Sequence, residues 1–268
     1  MAVDTLFETI LGLIQVLLRV GCFWMFFPVF GATSTPAPIR VAGAFCLSFA
    51  LQPVVAMHLE PWRLDRLPDT SQLFLFALRE LAIGAGMGLV CRWMIGTCVA
   101  AAHWVGAQMG FSQGGMFNPE FDTSESAWAE LHQWMCLTLF LSVGGHYLLL
   151  QALKDSYAMD ASRVFANLGD LRNGSLLWIE VGSRFFKWML QLAAPLTVVL
   201  LVLQAALGVL SKFIPQMNIW AVSVPITLGV GVFVFSLLSP LYGDALGSLV
   251  LSTHDLARIW LRYLSGGG

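Results

Sequence analysis

Six stretches of this chain are apolar for long enough to cross a lipid bilayer, which takes about 20 residues per helix. They run from Leu6 to Phe30, Val41 to Met57, Leu73 to Val90, Trp134 to Leu150, Met189 to Leu210 and Ile219 to Leu238. At bilayer depth every backbone N–H and C=O must be satisfied within the segment, so runs of this kind predict helices. The expected fold class is all-α and polytopic. A seventh stretch, Leu241 to Leu264, mixes Asp244, Asp255, Arg258 and Arg262 with apolar residues. It reads as an amphipathic or partner-covered helix.

Composition supports a membrane class. Of 268 residues, 57% are hydrophobic and 11% charged, against about 25% charged in a soluble domain. Too few polar groups remain to coat a water-facing surface. A formal net charge of −2, with Lys and Arg scattered, gives no basic field for nucleic acid. The N-terminus carries Asp4 and Glu8 before its apolar run and has no basic n-region, so no cleavable signal peptide is expected. Counting Lys and Arg by loop places both termini on the cytoplasmic side.

Pro and Gly fall where helix boundaries are expected: Pro28 with Gly31, Pro36 with Pro38, Pro53, Pro119, Pro215, Pro225 and Pro240. Breaks at membrane depth are tolerated where neighbouring protein or a water-lined cavity satisfies the freed backbone, so the chain expects partners. Two polar stretches, Gly106 to Gln133 and Lys154 to Lys187, are too short to be independent domains.

Several residues invite a chemical reading. Cys22, Cys46, Cys91, Cys98 and Cys136 all lie in or beside apolar stretches and read as small buried residues. Cys91, Cys98 and His103 match no zinc spacing, so no metal and no cofactor are assigned. Glu80 lies inside the third run, with Gly84 and Gly88 repeating its helical face. A carboxylate there must face protein or water. It is either a proton or ion site or a polar lock beside a small-residue face that admits a neighbouring helix. Arg19, in the first run, carries the same two readings and is a candidate partner for Glu80.

Gly110 to Gly114 spell G-x-S-x-G around Ser112, but a nucleophile elbow needs a preceding strand, and none is predicted. The same region interleaves Gly106, Gly110, Gly114 and Gly115 with Met109, Phe111, Met116 and Phe117. Glycines permit sharp turns and Met and Phe make soft, adaptable contacts. That chemistry suits a plug, while composition alone favours an ordinary re-entrant loop or a helix continuation packed against neighbours. His146, after Gly144 and Gly145, reads as a hydrogen-bonded packing histidine. Pro215, Gln216, Met217 and Asn218 read as the tip of a helical hairpin.

Those tip residues, with Leu207, Gly208, Lys212 and Ile219, resemble the signature of the FliR family, the flagellar export-gate subunit whose injectisome counterpart is SctT. The resemblance continues through Arg19, Pro28, Phe30, Gly31, Pro38 and Arg40, then Glu80, Gly84 and Gly88, then Gln108, Met109 and Gly110, then Gly145 and His146, then Ala194 and Pro195. It covers nearly the whole chain, so 1–268 reads as one export-gate domain. Ser211 and Lys212 stand where the family often has Asn and Arg, and Asn118 stands where Asp is usual.

The resemblance implies broken helical hairpins in a hetero-oligomeric complex with FliP-type and FliQ-type subunits, their apolar surface covered by sister subunits rather than lipid. It implies FlhB-type and FlhA-type components at the entrance and unfolded export substrates as cargo, in the bacterial inner membrane at the flagellar basal body. By matched position, Gly106 to Pro119 corresponds to the family's plug loop. No catalytic residue is implied. The alternative is a proton-coupled transporter using Glu80 and His146, but transporters often carry internal repeats and none is evident here.

Overall fold

Three of the prolines offered as helix boundaries, Pro53, Pro225 and Pro240, lie inside helices, Pro36 and Pro38 stand at the start of one, and Pro28, Pro119 and Pro215 lie outside the described residues. The computed structural model describes residues 2–27, 36–59, 69–111, 127–158, 168–214, 216 and 218–264. The helices are α1 (Ala2–Phe26), α2 (Ala37–Val55), α3 (Thr70–Met109), α4 (Ala127–Ser142), α5 (Gly145–Asp155), α6 (Leu168–Phe213) and α7 (Ile219–Leu264). Pro53 lies inside α2, Pro195 inside α6, and Pro225 and Pro240 inside α7.

A helical proline withdraws one N–H and frees the carbonyl four residues earlier. At Pro240 that carbonyl belongs to Ser236, and the Ser239 hydroxyl donates to it at 3.0 Å. A side chain thus replaces the missing backbone donor, as apolar helices allow. This corrects the expected boundary at Pro240: the sixth apolar run and the amphipathic seventh are one helix of 46 residues. Three residues before Pro195, Leu192 O accepts the Tyr242 hydroxyl at 2.6 Å, a tertiary contact between α6 and α7.

The polar stretches also shrink. α3 continues to Met109, and α6 begins at Leu168, so the ends of both expected loops are helical. The fourth apolar run does break. Gly144 adopts φ 76°, a left-handed conformation open to glycine, and α4 and the segment from Gly145 to Ala158 diverge by 65°. Among the described residues five helical segments are long and apolar enough to cross a membrane, or six if this bent pair is one span. The described residues are otherwise turns and short 3₁₀ segments, which makes the chain all-α and polytopic.

Two compact units form. The first comprises residues 1–93, 144–182 and 251–268, and the second 94–143 and 183–250. In the first unit α1 and α2 make an antiparallel hairpin: the Gln52 side chain reaches Thr9 O at 3.0 Å, and Trp24 lies over Gly43 at the other end. Its core includes Val16, Val20, Phe23, Ile83, Met87 and Leu153, and Trp178 packs against both Trp93 and Trp260. In the second unit α3 meets α4, where Cys98 Sγ and Cys136 Sγ approach to 3.0 Å.

Of the five cysteines, Cys91, Cys98 and Cys136 are buried, Cys22 is half-buried and Cys46 is exposed. Cys46 therefore departs from the expectation of burial, because α2 turns that face away from α1. Apolar side chains on the outside are numerous, including Phe213, Phe233, Leu237, Leu241 and Val202. Surface of this kind is what a bilayer or partner protein covers.

Candidate functional site

In the first unit, α1 and α3 place Arg19 and Glu80 against each other in full burial, the side chains 1% and 0% exposed. The contact is a two-point fork: Arg19 Nε donates to Glu80 Oε2 at 2.7 Å and Nη2 to Oε1 at 3.0 Å. Gln15 Nε2 also donates to Oε1, at 3.2 Å. The remaining arm, Arg19 Nη1, donates to Ser156 O at 2.7 Å and Ser156 Oγ at 3.0 Å. Tyr157 lays its ring 4.1 Å from the guanidinium carbon, and its hydroxyl donates to Val16 O at 3.3 Å.

Every arm of the guanidinium and both carboxylate oxygens are engaged. Taking two ions from water costs several kcal/mol each, offset only by good geometry and additional hydrogen bonds. This site meets that condition. It ties α1, α3 and the turn after α5 into one arrangement.

Glycine makes the approach possible. Gly84 and Gly88 follow Glu80 at intervals of four and share its face. A Cβ on Gly84 would overlap the Arg19 carbonyl oxygen, and one on Gly88 would stand 2.8 Å from Phe26 Cβ and 2.9 Å from Phe23 O. Gly86 similarly admits the Trp260 indole. We expect Gly84→Ala to lower stability by about 1–3 kcal/mol, the usual cost of overpacking. Gly182→Ala, where an added Cβ meets nothing within 4 Å, should be neutral or stabilising. Thermal unfolding of the two purified variants in detergent checks this; equal melting would remove the close-approach argument.

In the second unit, the candidate plug begins at the end of α3. Gly106 lies in its last turn and Met109 closes it, both buried. Gly110 has φ 97°, and its N–H donates to Gly106 O at 3.1 Å, the bond that closes a helix on a left-handed residue. Met109 is fully buried and its thioether lies where a Cβ on Gly231 would be. Thr227 Oγ1 donates to Met109 O at 3.1 Å, and Gln204 Nε2 to Gln108 O at 3.0 Å. Phe111 stacks on Trp128 with centroids 5.8 Å apart, and Trp128 packs on His132 and Phe235.

Gly114, Gly115, Met116, Phe117 and Pro215 lie outside the described residues, as does Ser112. A helix, not a strand, leads into Gly110, so the strand-to-helix setting of a nucleophile elbow is missing. His146 is exposed at the start of α5. It is not the packed histidine that its apolar run suggested, because the turn at Gly144 ends α4 and faces this residue outward. Gln216 and Asn218 are exposed in the short connection between α6 and α7.

Gln15, Ser156 and Tyr157 belong to this site although no sequence pattern singles them out. Gln15 precedes Arg19 by one helical turn, a local signal for a shared face. Ser156 lies 137 residues from Arg19 and carries no such signal. Thr227 and Gly231, 118 or more residues from Met109, are similarly silent.

Residues 10–253 match the family model described as bacterial export proteins, family 1. The chain is 26% identical over 219 residues to the flagellar biosynthetic protein FliR of Bacillus subtilis, covering 80% of this chain and 81% of that protein. It is 28% identical over 231 residues to the Escherichia coli FliR, covering 84% and 83%, and 27% identical over 251 residues to that of Aquifex aeolicus, covering 92% and 90%. The matched span contains Arg19, Glu80 and the end of α3.

Proposed function

Because this chain belongs to the FliR family of bacterial export proteins, we propose that it is a structural and gating subunit of a flagellar type III protein export channel. It is a membrane protein with several helices apolar enough to span. In the proposed assembly it forms the core gate with FliP-type and FliQ-type subunits, with FlhB-type and FlhA-type components beside it. Unfolded substrate proteins pass through that gate, at the basal body in the inner membrane. The reading requires no catalytic residue from this chain.

One observation carries the gating part. α3 ends in a left-handed glycine with Met109 seated on Gly231 and its carbonyl held by Thr227. A firmly anchored helix end leading into Gly110, Phe111, Gly114, Gly115, Met116 and Phe117 is a suitable base for an adaptable closure. The transporter alternative requires a carboxylate that exchanges protons with water. Glu80 is fully buried and its oxygens accept from Arg19 and Gln15, which suits a lock rather than a relay.

Co-expression with its FliP-type and FliQ-type neighbours, gentle extraction and native mass spectrometry test the assembly. A discrete complex containing all three is expected. A chain that purifies alone as a stable monomer and catalyses solute flux in vesicles would replace this reading with the transporter.

A further inference from the structure

We propose that Gln204 and Thr227 are the latch of the closed gate: from α6 and α7 they hold the last two carbonyls of α3, and the root of the plug is freed when they let go. The latch presupposes the gating role proposed above.

The last four carbonyls of a helix have no partner within it. In α3 these belong to Gly106, Ala107, Gln108 and Met109. The Gly110 N–H serves the first two, at 3.1 Å from Gly106 O and 3.3 Å from Ala107 O. The other two are served by distant helices of the same unit: Gln204 Nε2 donates to Gln108 O at 3.0 Å, and Thr227 Oγ1 to Met109 O at 3.1 Å. The end of α3 is therefore complete only while α6 and α7 supply its donors. Those two helices lie side by side, joined by the Tyr242 contact with Leu192. Gln204 is nine residues before the end of α6 and Thr227 eight after the start of α7, so they grip α3 at one level.

Both donors can withdraw without being stranded. A threonine hydroxyl has one proton, and Thr227 Oγ1 is also 2.9 Å from Ser223 O and 3.1 Å from Val224 O on its own helix. Its proton has a second home one turn back, the usual back-bond of a helical threonine. Gln204 is exposed, and its amide is free to turn outward. The carbonyls are the groups that lose, and a buried carbonyl without a donor is costly. Release is therefore favourable only once water reaches the end of α3, which is the condition of an open, hydrated passage.

Met109 completes the closed arrangement. Thr227 and Gly231 are buried one turn apart on α7, and the Met109 side chain occupies the space that a Cβ at Gly231 would take. The glycine thereby lets the last turn of α3 come within reach of the Thr227 hydroxyl.

Thr227→Val keeps the shape of the side chain and removes its donor, and Gln204→Leu removes the amide. In planar bilayers the co-expressed complex carrying both should have a closed-state open probability roughly tenfold above wild type, the shift expected from about one hydrogen bond. Thr227→Ser keeps the hydroxyl and should stay sealed. The reverse order, with Thr227→Ser leaking and Thr227→Val sealed, would mark a packing role for the methyl group and overturns the proposal. A second measurement decides even where these variants fail to assemble. Met109 Cγ lies 2.8 Å from the Cβ position of Gly231, which brings cysteines at both positions within disulfide reach. Cells carrying Met109→Cys with Gly231→Cys should stop secreting export substrates when treated with a diazene thiol oxidant and resume after dithiothreitol, while wild-type cells continue throughout. Undiminished secretion with the cross-link formed overturns the latch. A leak from deletion of Gly110 to Phe117 with none from the paired substitution also overturns it and leaves the plug reading standing, whereas a sealed deletion removes both.

Discussion

Glu80→Ala should nearly abolish accumulation of the folded chain in the membrane. The substitution leaves the Arg19 guanidinium buried with its carboxylate partner gone, and breaking a buried pair in this way costs about 3–5 kcal/mol. Most proteins are stable by only about 5–15 kcal/mol. Arg19→Ala should do comparable damage by stranding Glu80. The informative variant is the double replacement Arg19→Met with Glu80→Leu. Exchanging both ions for apolar groups leaves no orphan charge and is often neutral, so accumulation should recover well above either single variant. Fluorescence-detected size exclusion of the three variants checks this. Recovery no better than the worse single change would show that the pair acts through something other than charge compensation. Ser156→Ala should be milder, because the Ser156 carbonyl still accepts from Arg19 Nη1 at 2.7 Å.

Deleting Gly110 to Phe117 should leave the export complex assembled and open to ions when its pore is otherwise closed. The packing that holds α3 lies before the deletion: Cys98, Ala101, Val105 and Met109 are all buried. The removed residues are those whose composition suits a closure. Conductance of the purified co-expressed complex in planar bilayers should rise from a sealed baseline to persistent open currents, with subunit composition unchanged by native mass spectrometry. A sealed bilayer with the deleted complex would falsify the plug assignment. Loss of the complex would instead place these residues in assembly.

Local rules make part of the fold legible in the sequence. Helical period sets Glu80, Gly84 and Gly88 on one face, and long apolar runs can satisfy their backbones only as helices. The residues that carry the FliR resemblance follow one another along the chain and need no tertiary contact to be seen. Arg19 and Glu80 were each conspicuous as a charge in an apolar run, and the need for a partner followed from desolvation. Loop boundaries were less legible. A proline is a stop only if nothing replaces its missing donor, and Ser239 replaces it at Pro240.

By itself, the sequence determined the all-α membrane class, the family, and the need for buried partners at Arg19 and Glu80, because these depend on short-range periodicity and on the cost of burying charge. Tertiary structure alone decided that the two charges pair, that Ser156 and Tyr157 complete their site, that Met109 anchors on Gly231, and that α7 passes through Pro240. Each of these depends on which distant segment arrives next to a given residue. That is set by packing summed over the whole unit, and no window along the chain contains it.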